Sequence, residues 1–318
     1  MGDRGWTATD VPDQHGRRIV VTGANSGIGL EAARVLATRG AEVILACRDL
    51  NRGATALGDL KRQWPAASAR VEQLDLADLS SVRSFAERVG GQRIDVLVAN
   101  AGVMAARARR TTVDGFELLL GTNHLGHVAL TLALLPAMLD GAARTGGPPA
   151  RVVVVTSRAH TAGRIDFDDL GAERRYRRYP VYCRSKLANL LFALELQRRL
   201  AARSLPALAV ACHPGYAGTR LMEKSINGSA TWLEHGAYAL GRHLIAQSPA
   251  AGAWPTLRAA TDPAVVGGEL FGPSSLRGLR GRAVRVTPSP AALDPALARR
   301  LWEVSVELTG ADPGPLGR

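Results

Sequence analysis

The sequence predicts an α/β fold, one doubly wound parallel sheet of about seven strands with helices on both faces. Three observations carry this. Short apolar runs alternate with helix-length segments as far as Cys212. Those runs are apolar throughout rather than alternating with polar residues, as strands covered on both faces require. The first of them opens onto a turn bearing Gly23, Gly27 and Gly29, at the head of the first helical segment. Repeated strand–helix–strand order then calls for right-handed crossovers.

The elements follow in order. RRIVVT (17–22) is the first strand, and a helix runs from Gly27 to about Arg39. AEVILA (41–46) is the second strand, with a helix near 50–63. ARVEQL (69–74) is the third, with a helix from about Leu79 to Val89, and IDVLVA (94–99) is the fourth. A long helix is expected from about Val113 to Leu139. RVVVVTS (151–157) is the fifth strand, a second long helix spans about Val181 to Ala202, and ALAVAC (207–212) is the sixth strand. Beyond His213 the pattern loosens, leaving a helix near 249–261, a short strand at 268–272 and a last helix near 295–309. Residues 1–15 read as a flexible N-terminal arm, 16–310 as a single domain and 311–318 as a flexible tail. No repeat or linker divides the chain.

Composition excludes several classes. The net charge is +12, mostly from scattered arginines, densest in ERRYRRYP (173–180). Such runs suit a solvated surface, or a positive field around an anionic cofactor or substrate. Aromatic content is only 5% and no nucleic-acid motif accompanies the charge, so no nucleic-acid partner is expected. Three cysteines give no disulfide framework and suit a reducing compartment, the cytoplasm. The N-terminus has no apolar stretch, and no apolar run is long enough for a membrane span. His127 to Leu139 reads as a buried helix instead. No His/Cys cluster has metal-ligand spacing.

A glycine-rich turn between a strand and a helix is where a dinucleotide pyrophosphate sits, on backbone N–H groups and the positive end of the helix dipole. Here the turn is TGANSGIG, so Gly23, Asn25, Ser26, Gly27, Ile28 and Gly29 are the candidate phosphate cradle. The residue closing the second strand meets the adenosine ribose. An acid there accepts from the 2′-hydroxyl of NAD, and a base accommodates the 2′-phosphate of NADP. This chain has Cys47 in the acid's place and Arg48 next, which favours NADP(H), with NAD as the alternative. Asp49 either pairs with Arg48 or meets a ribose itself.

In YCRSK, Tyr182 and Lys186 stand four apart on a helix and share a face. A nearby ammonium and an oxidised nicotinamide favour phenolate, lowering the tyrosine pKa toward the useful range. Ser157 closes the fifth strand, where ligands of open parallel sheets bind, and its hydroxyl can bond a substrate oxygen. Asn123, in GTNHLGH, is a modest misfit inside a helix. It reads either as a satisfied polar residue or as a link in a proton relay through Lys186.

With these motifs in order, the chain resembles the short-chain dehydrogenase/reductase family, a Rossmann fold with strand order 3-2-1-4-5-6-7. The resemblance rests on TGANSGIG, Asp75–Leu76, NAG at Asn100 to Gly102, Asn123, Ser157, Tyr182 and Lys186, and Pro214–Gly215 with Thr219. It implies adenine contacts from Asp75 and Leu76. Asn100, Ala101 and Gly102 would flank the cofactor. Asn123, Ser157, Tyr182 and Lys186 would form a catalytic tetrad. Pro214, Gly215 and Thr219 would line the nicotinamide carboxamide. Two stretches, 22–49 and 182–196, look like the retinol dehydrogenase-like and WW-domain-oxidoreductase-like branch. Its long insertion is also present, with 25 residues from Ser157 to Tyr182.

The resemblance implies an NADP(H)-dependent oxidoreductase passing hydride between nicotinamide C4 and a carbonyl or alcohol of a small hydrophobic substrate. The alternatives are an atypical step, such as C=C or imine reduction or epimerisation, and a non-catalytic NADP-binding regulator. Arg- and Ala-rich composition suggests a bacterial source. Residues 216–245 are expected to form a substrate lid, with Trp232, Leu233, Tyr238 and Leu240 as apolar lining or as local packing. A homodimer or homotetramer through the two long helices is also implied. His213 reads as structural.

Overall fold

The computed structural model of the chain describes residues 3–104, 108–216 and 247–317. Its strands are β1 (Arg18–Thr22), β2 (Glu42–Cys47), β3 (Ala69–Gln73), β4 (Val96–Ala99), β5 (Ala150–Val155), β6 (Ala207–Cys212), β7 (Leu270–Ser275) and β8 (Arg280–Arg285). They form one sheet in the order β3-β2-β1-β4-β5-β6-β7-β8, parallel except for the β7–β8 pair. The helices are α1 (Gly27–Thr38), α2 (Leu50–Gln63), α3 (Leu79–Gly90), α4 (Leu118–Leu120), α5 (Gly126–Thr145), α6 (Arg178–Ala202), α7 (Pro249–Gly252), α8 (Trp254–Thr261) and α9 (Pro295–Thr309).

The sheet explains the continuous apolar runs. Successive strand residues point to opposite faces. Val20, Ile44, Leu97 and Val152 belong to one core with residues of α3, α5, α6 and α9. Their chain neighbours Ile19, Val43, Val96 and Val153 belong to a second core with residues of α1 and α8. Helix starts are set by acids that accept first-turn N–H groups: Asp49 for α2, Asp78 for α3 and Asp294 for α9.

Several boundaries differ from expectation. The sheet has eight strands because β8 folds back on β7. In RGRAVR only Ala283 is buried, so the segment carries little apolar signal. The first long helix starts at Leu118, not Val113. Gly115 turns the chain at φ +86°, Thr111 bridges Glu117, and the buried Glu117 carboxylate caps Leu119 and Leu120. A π-turn, Gly121–Leu125, then joins α4 to α5. The helix near 249–261 is two helices meeting at Ala253.

Both described ends pack on the fold. In the N-terminal arm, Trp6 is buried and exchanges backbone hydrogen bonds with Ala283, Val11 is buried, and Asp3 pairs with Arg258 at 2.7 Å. At the other end Leu316 is fully buried, and Gly317 O accepts from Arg199 Nη1 at 2.8 Å. Apolar burial and buried arginines outweigh the entropy of two short terminal segments.

The two long helices are core elements. The continuous helical stretch Leu118–Arg144 is long and apolar enough to cross a membrane by length and composition, yet it is largely buried inside the fold. No residue of α6 between Val181 and Leu200 is exposed. Helix α9 packs on α6, with Trp302 stacked 5.7 Å from Phe192 and Arg199 4.5 Å above the Trp302 ring. Helix α9 thus covers part of α6, one of the two helices through which a second copy is expected to pair, while Ala133 and Pro136 of α5 stay exposed.

Candidate active site

The carboxyl ends of β1, β4 and β5 converge, and the candidate residues line the place where they meet. Gly23 and Gly27 take φ +67° and +60°, which glycine adopts without strain. A Cβ on Gly29 would lie 2.4 Å from Asn100 Nδ2 and 2.7 Å from Gly23 O. Helix α1 thus begins directly against the exit of β1. Asn25, Ser26 and Ile28 lie in the same partly buried turn. Ser26, at the N-cap position, makes no side-chain cap bond, so the first N–H groups of α1 remain available to a phosphate. This cradle fits a dinucleotide.

The loop after β4 is tied to the same turn. Asn100 Nδ2 donates to Thr22 O at 2.8 Å. The Asn100 and Ala101 N–H groups donate to Thr22 Oγ1 at 2.9 and 2.8 Å. Cys47, which ends β2, is buried, while Arg48 beyond it is mostly exposed, its Nε 4.0 Å from Asp75 Oδ2. Among the described residues Asp49 is paired with Arg52 and not with Arg48. It caps α2 through the Arg52 N–H and pairs with the Arg52 side chain at 3.4 Å. Asp75 Oδ1 accepts the Ala77 N–H, and Leu76 is buried against Gly126, where a Cβ would come within 2.3 Å of Leu76 O.

Tyr182 and Lys186 lie in the second turn of α6 and the one after it, facing the end of β5. Ser157 follows that strand; its Oγ accepts the Ala159 N–H at 3.2 Å, and its hydroxyl lies where it acts on the Tyr182 side chain. Burial pushes the Tyr182 hydroxyl pKa up, and the bond from Ser157 opposes this only in part. In the protein alone the pKa is therefore raised, because removing a phenolate from water costs more than its hydrogen bond returns. Lys186 is buried, its Nζ donates to Val155 O at 3.2 Å, and burial lowers its pKa to about 8. A Cβ on Gly102 would lie 3.2 Å from Asn123 Oδ1 and 3.5 Å from Lys186 Nζ. The missing side chain lets the three converge.

Asn123 is a satisfied polar residue. Its Oδ1 accepts the Val103 N–H at 2.7 Å, and its Nδ2 donates to Val103 O at 3.1 Å and Ser185 Oγ at 3.0 Å. The side chain is spent on holding the β4 loop. What Asn123 offers beyond it is the main-chain carbonyl, which accepts from His127 Nδ1 at 3.0 Å.

Beyond the end of β6, Gly215 takes φ +67°, and a Cβ there would come 2.4 Å from Leu279 O. Pro214 O accepts from Gln247 Nε2 at 2.7 Å, and the Gln247 N–H donates to Tyr216 O at 2.9 Å. Thr219 and nearly all of the expected lid, with Trp232, Leu233, Tyr238 and Leu240, lie outside the described residues. His213 is buried and accepts the Gly215 N–H on Nδ1 at 3.3 Å; burial drives its pKa to about 3. That suits the structural role expected of it. Sequence reasoning passed over Thr22, His127 and Gln247. The spacing of His127, one helical turn after Asn123, was the available signal.

Residues 17–228 match the family model described as short chain dehydrogenase. The chain belongs to the short-chain dehydrogenase family. Within that family it is a retinol dehydrogenase-like member. It is 40% identical to human retinol dehydrogenase 13 over 305 residues, covering 93% of this chain and 86% of that one. It is 40% identical to mouse polyprenol dehydrogenase over 310 residues, covering 96% and 87%. Among solved structures, a crystal structure of an uncharacterized protein from Mycobacterium paratuberculosis is 42% identical, with a TM-score of 0.78 and coverage of 97% and 98%. An NAD(P)-dependent gluconate 5-dehydrogenase from Beutenbergia cavernae, solved with bound NADP, is 27% identical with a TM-score of 0.62, covering 81% and 95%.

Proposed function

We propose that this oxidoreductase is NADP(H)-dependent and interconverts a carbonyl with a primary or secondary alcohol on a small hydrophobic substrate. The observation that carries the proposal is the placement of buried Tyr182 and Lys186 one helical turn apart on α6, with Ser157 facing them at the carboxyl end of β5 and Lys186 Nζ donating to Val155 O. When bound, the nicotinamide supplies or accepts the hydride at C4.

The chain's own residues do the rest. The turn from Gly23 to Gly29 holds the pyrophosphate, Asp75 and Leu76 the adenine, and Asn100 to Gly102 and Pro214 to Gly215 the remaining edges, with Thr219 assigned to the carboxamide. Arg48 carries the 2′-phosphate. Its exposure and the absence of an acid at the end of β2 support NADP over NAD. Tyr182 donates its proton to the substrate oxygen in reduction and accepts one in oxidation. Ser157 donates a hydrogen bond to the same oxygen as negative charge develops there. Lys186 bonds the nicotinamide ribose and stabilises the Tyr182 phenolate left after proton transfer. Asn123 holds the turn beside Lys186.

The relatives named for retinol and polyprenol support a hydrophobic alcohol or its carbonyl as substrate. Three free, buried cysteines suit a reducing compartment such as the cytoplasm. The test is NADPH oxidation across ketones and aldehydes from small to polycyclic and retinoid, with NADH and Tyr182→Phe in parallel. Turnover with NADPH that vanishes in the variant supports the assignment. Tight NADPH binding with no turnover on any carbonyl overturns it.

A further inference from the structure

One buried imidazole stands between the cofactor turn and the catalytic helix. His127 Nδ1 lies 3.0 Å from Asn123 O, and its Nε2 lies 3.0 Å from Thr22 Oγ1. A carbonyl oxygen only accepts, so Nδ1 carries the proton and Nε2 presents its lone pair. The Thr22 hydroxyl then donates to Nε2, its other acceptor in reach being Val98 O at the longer distance of 3.3 Å. The Thr22 oxygen in turn accepts the N–H groups of Asn100 and Ala101. The bonds therefore run in one direction, from the β4 loop through Thr22 and His127 to Asn123. Complete burial and the Lys186 charge keep the imidazole neutral, with its pKa lowered to about 4.

We propose that His127 is a positioning residue, a tautomer-locked strap that holds the Asn100–Gly102 loop, Thr22 and the Asn123 turn in one register for cofactor and Lys186. The inference rests on the proposed function for the roles of Asn123 and Lys186. The geometry leaves little slack. Asn123 Oδ1 and Lys186 Nζ approach the same point above Gly102 at 3.2 and 3.5 Å, so a small shift of the π-turn is felt at the ammonium. Misplacement of this kind acts on the chemistry without touching the substrate.

Three variants separate the two ends of the strap. His127→Asn keeps an amide donor where Nδ1 stands and loses Thr22. His127→Gln keeps a polar group where Nε2 stands and loses Asn123. His127→Phe loses both. The readouts are NADPH Kd by fluorescence, kcat and KM separately, and amide hydrogen exchange at Asn100 and Ala101, alongside thermal melting. His127→Phe is expected to weaken NADPH binding and to lower kcat by about tenfold each, the scale of one broken buried hydrogen bond. His127→Asn raises Kd more than it lowers kcat, and His127→Gln lowers kcat more than it raises Kd. All three speed exchange at Asn100 or Ala101, His127→Phe most. Unchanged Kd, kcat and exchange in His127→Phe overturns the proposal, and so does lowered melting alone. If the parent enzyme turns over no carbonyl, the proposed function fails while exchange and NADPH Kd still judge the strap. If it binds no NADPH, exchange alone judges it.

Discussion

Arg48 and Asp75 face each other at 4.0 Å across the ends of β2 and β3, with the Arg48 side chain 70% exposed. A partner this distant and this wet contributes little to stability. The guanidinium is therefore free to turn to a phosphate. Arg48→Ala should raise the NADPH Kd about tenfold or more, the scale of a charge-assisted hydrogen bond, and leave the NADH Kd near its parent value. Fluorescence titration at fixed salt reads both, and equal losses for the two cofactors would remove the basis for NADP preference.

Tyr182→Phe deletes only the hydroxyl proposed as the proton donor. Carbonyl reduction should fall by about two to four orders of magnitude, the usual worth of a positioned acid, while NADPH binding and the melting temperature stay close to the parent. Lys186→Met should lower kcat and also weaken cofactor binding, because the same ammonium serves both. Stopped-flow rates with a fixed ketone separate the two effects.

The pH dependence has a definite sign. Burial raises the Tyr182 pKa, so the hydroxyl keeps its proton through neutrality. The proton is needed for reduction, and its loss is needed for oxidation. Ketone reduction should therefore be flat through neutral pH, and alcohol oxidation should climb into the alkaline range. The buried Lys186, with its pKa near 8, adds a second inflection there as its charge is lost. Initial rates in both directions on one substrate pair check this. An oxidation rate already at its plateau at neutral pH would show that the bound nicotinamide and Lys186 bring the Tyr182 pKa down from its raised value in the protein alone.

Acid should unfold the protein early. Burial holds the pKa of His124 and His213 at about 3 and that of His127 at about 4. In the unfolded chain these imidazoles take up protons near pH 6.5, while the folded protein does not. Stability is thus fully present above pH 6.5 and falls as the pH drops toward the folded values. The slope is about 1.4 kcal/mol per pH unit for each histidine well inside that window. Guanidine midpoints at pH 7 and pH 5 should differ accordingly, and equal midpoints would mean that these rings are not buried as neutral groups.

Helix α9 should keep the two long helices from pairing with a second copy. Sedimentation of the intact chain should return the 33.6 kDa monomer. Trp302→Ala removes the ring stacked on Phe192 and should cost about 3–5 kcal/mol, as large core truncations do. A dimer of the parent chain would contradict this blocking role of α9.

The elements that were legible share one property: each is encoded within a short window. Apolar runs reveal strands because both faces of a parallel sheet are covered. Three glycines mark a turn that must approach Asn100 and Gly23 O closely. Tyr182 and Lys186 share a face because helical spacing is local. Helix α9 begins at Pro295 behind its Asp294 cap, and both residues announce it. Strand β8 escaped notice because its one buried residue leaves no pattern, and the start of α4 because Glu117, a buried acid, replaces the usual polar cap.

What the sequence determined by itself is the family, the layered sheet and the identity of the residues beside the cofactor turn. Only the tertiary structure decided their partners. It turned Asp49 to its own helix, raised the Tyr182 pKa in the protein alone, packed both described ends of the chain and laid α9 over α6. It also brought Thr22 to His127, 105 residues apart, and His124 to Ser305, 181 apart. The physical reason is one of range. Periodicity and caps act over a few residues, whereas burial and hydrogen bonding across the fold depend on which distant surfaces pack together.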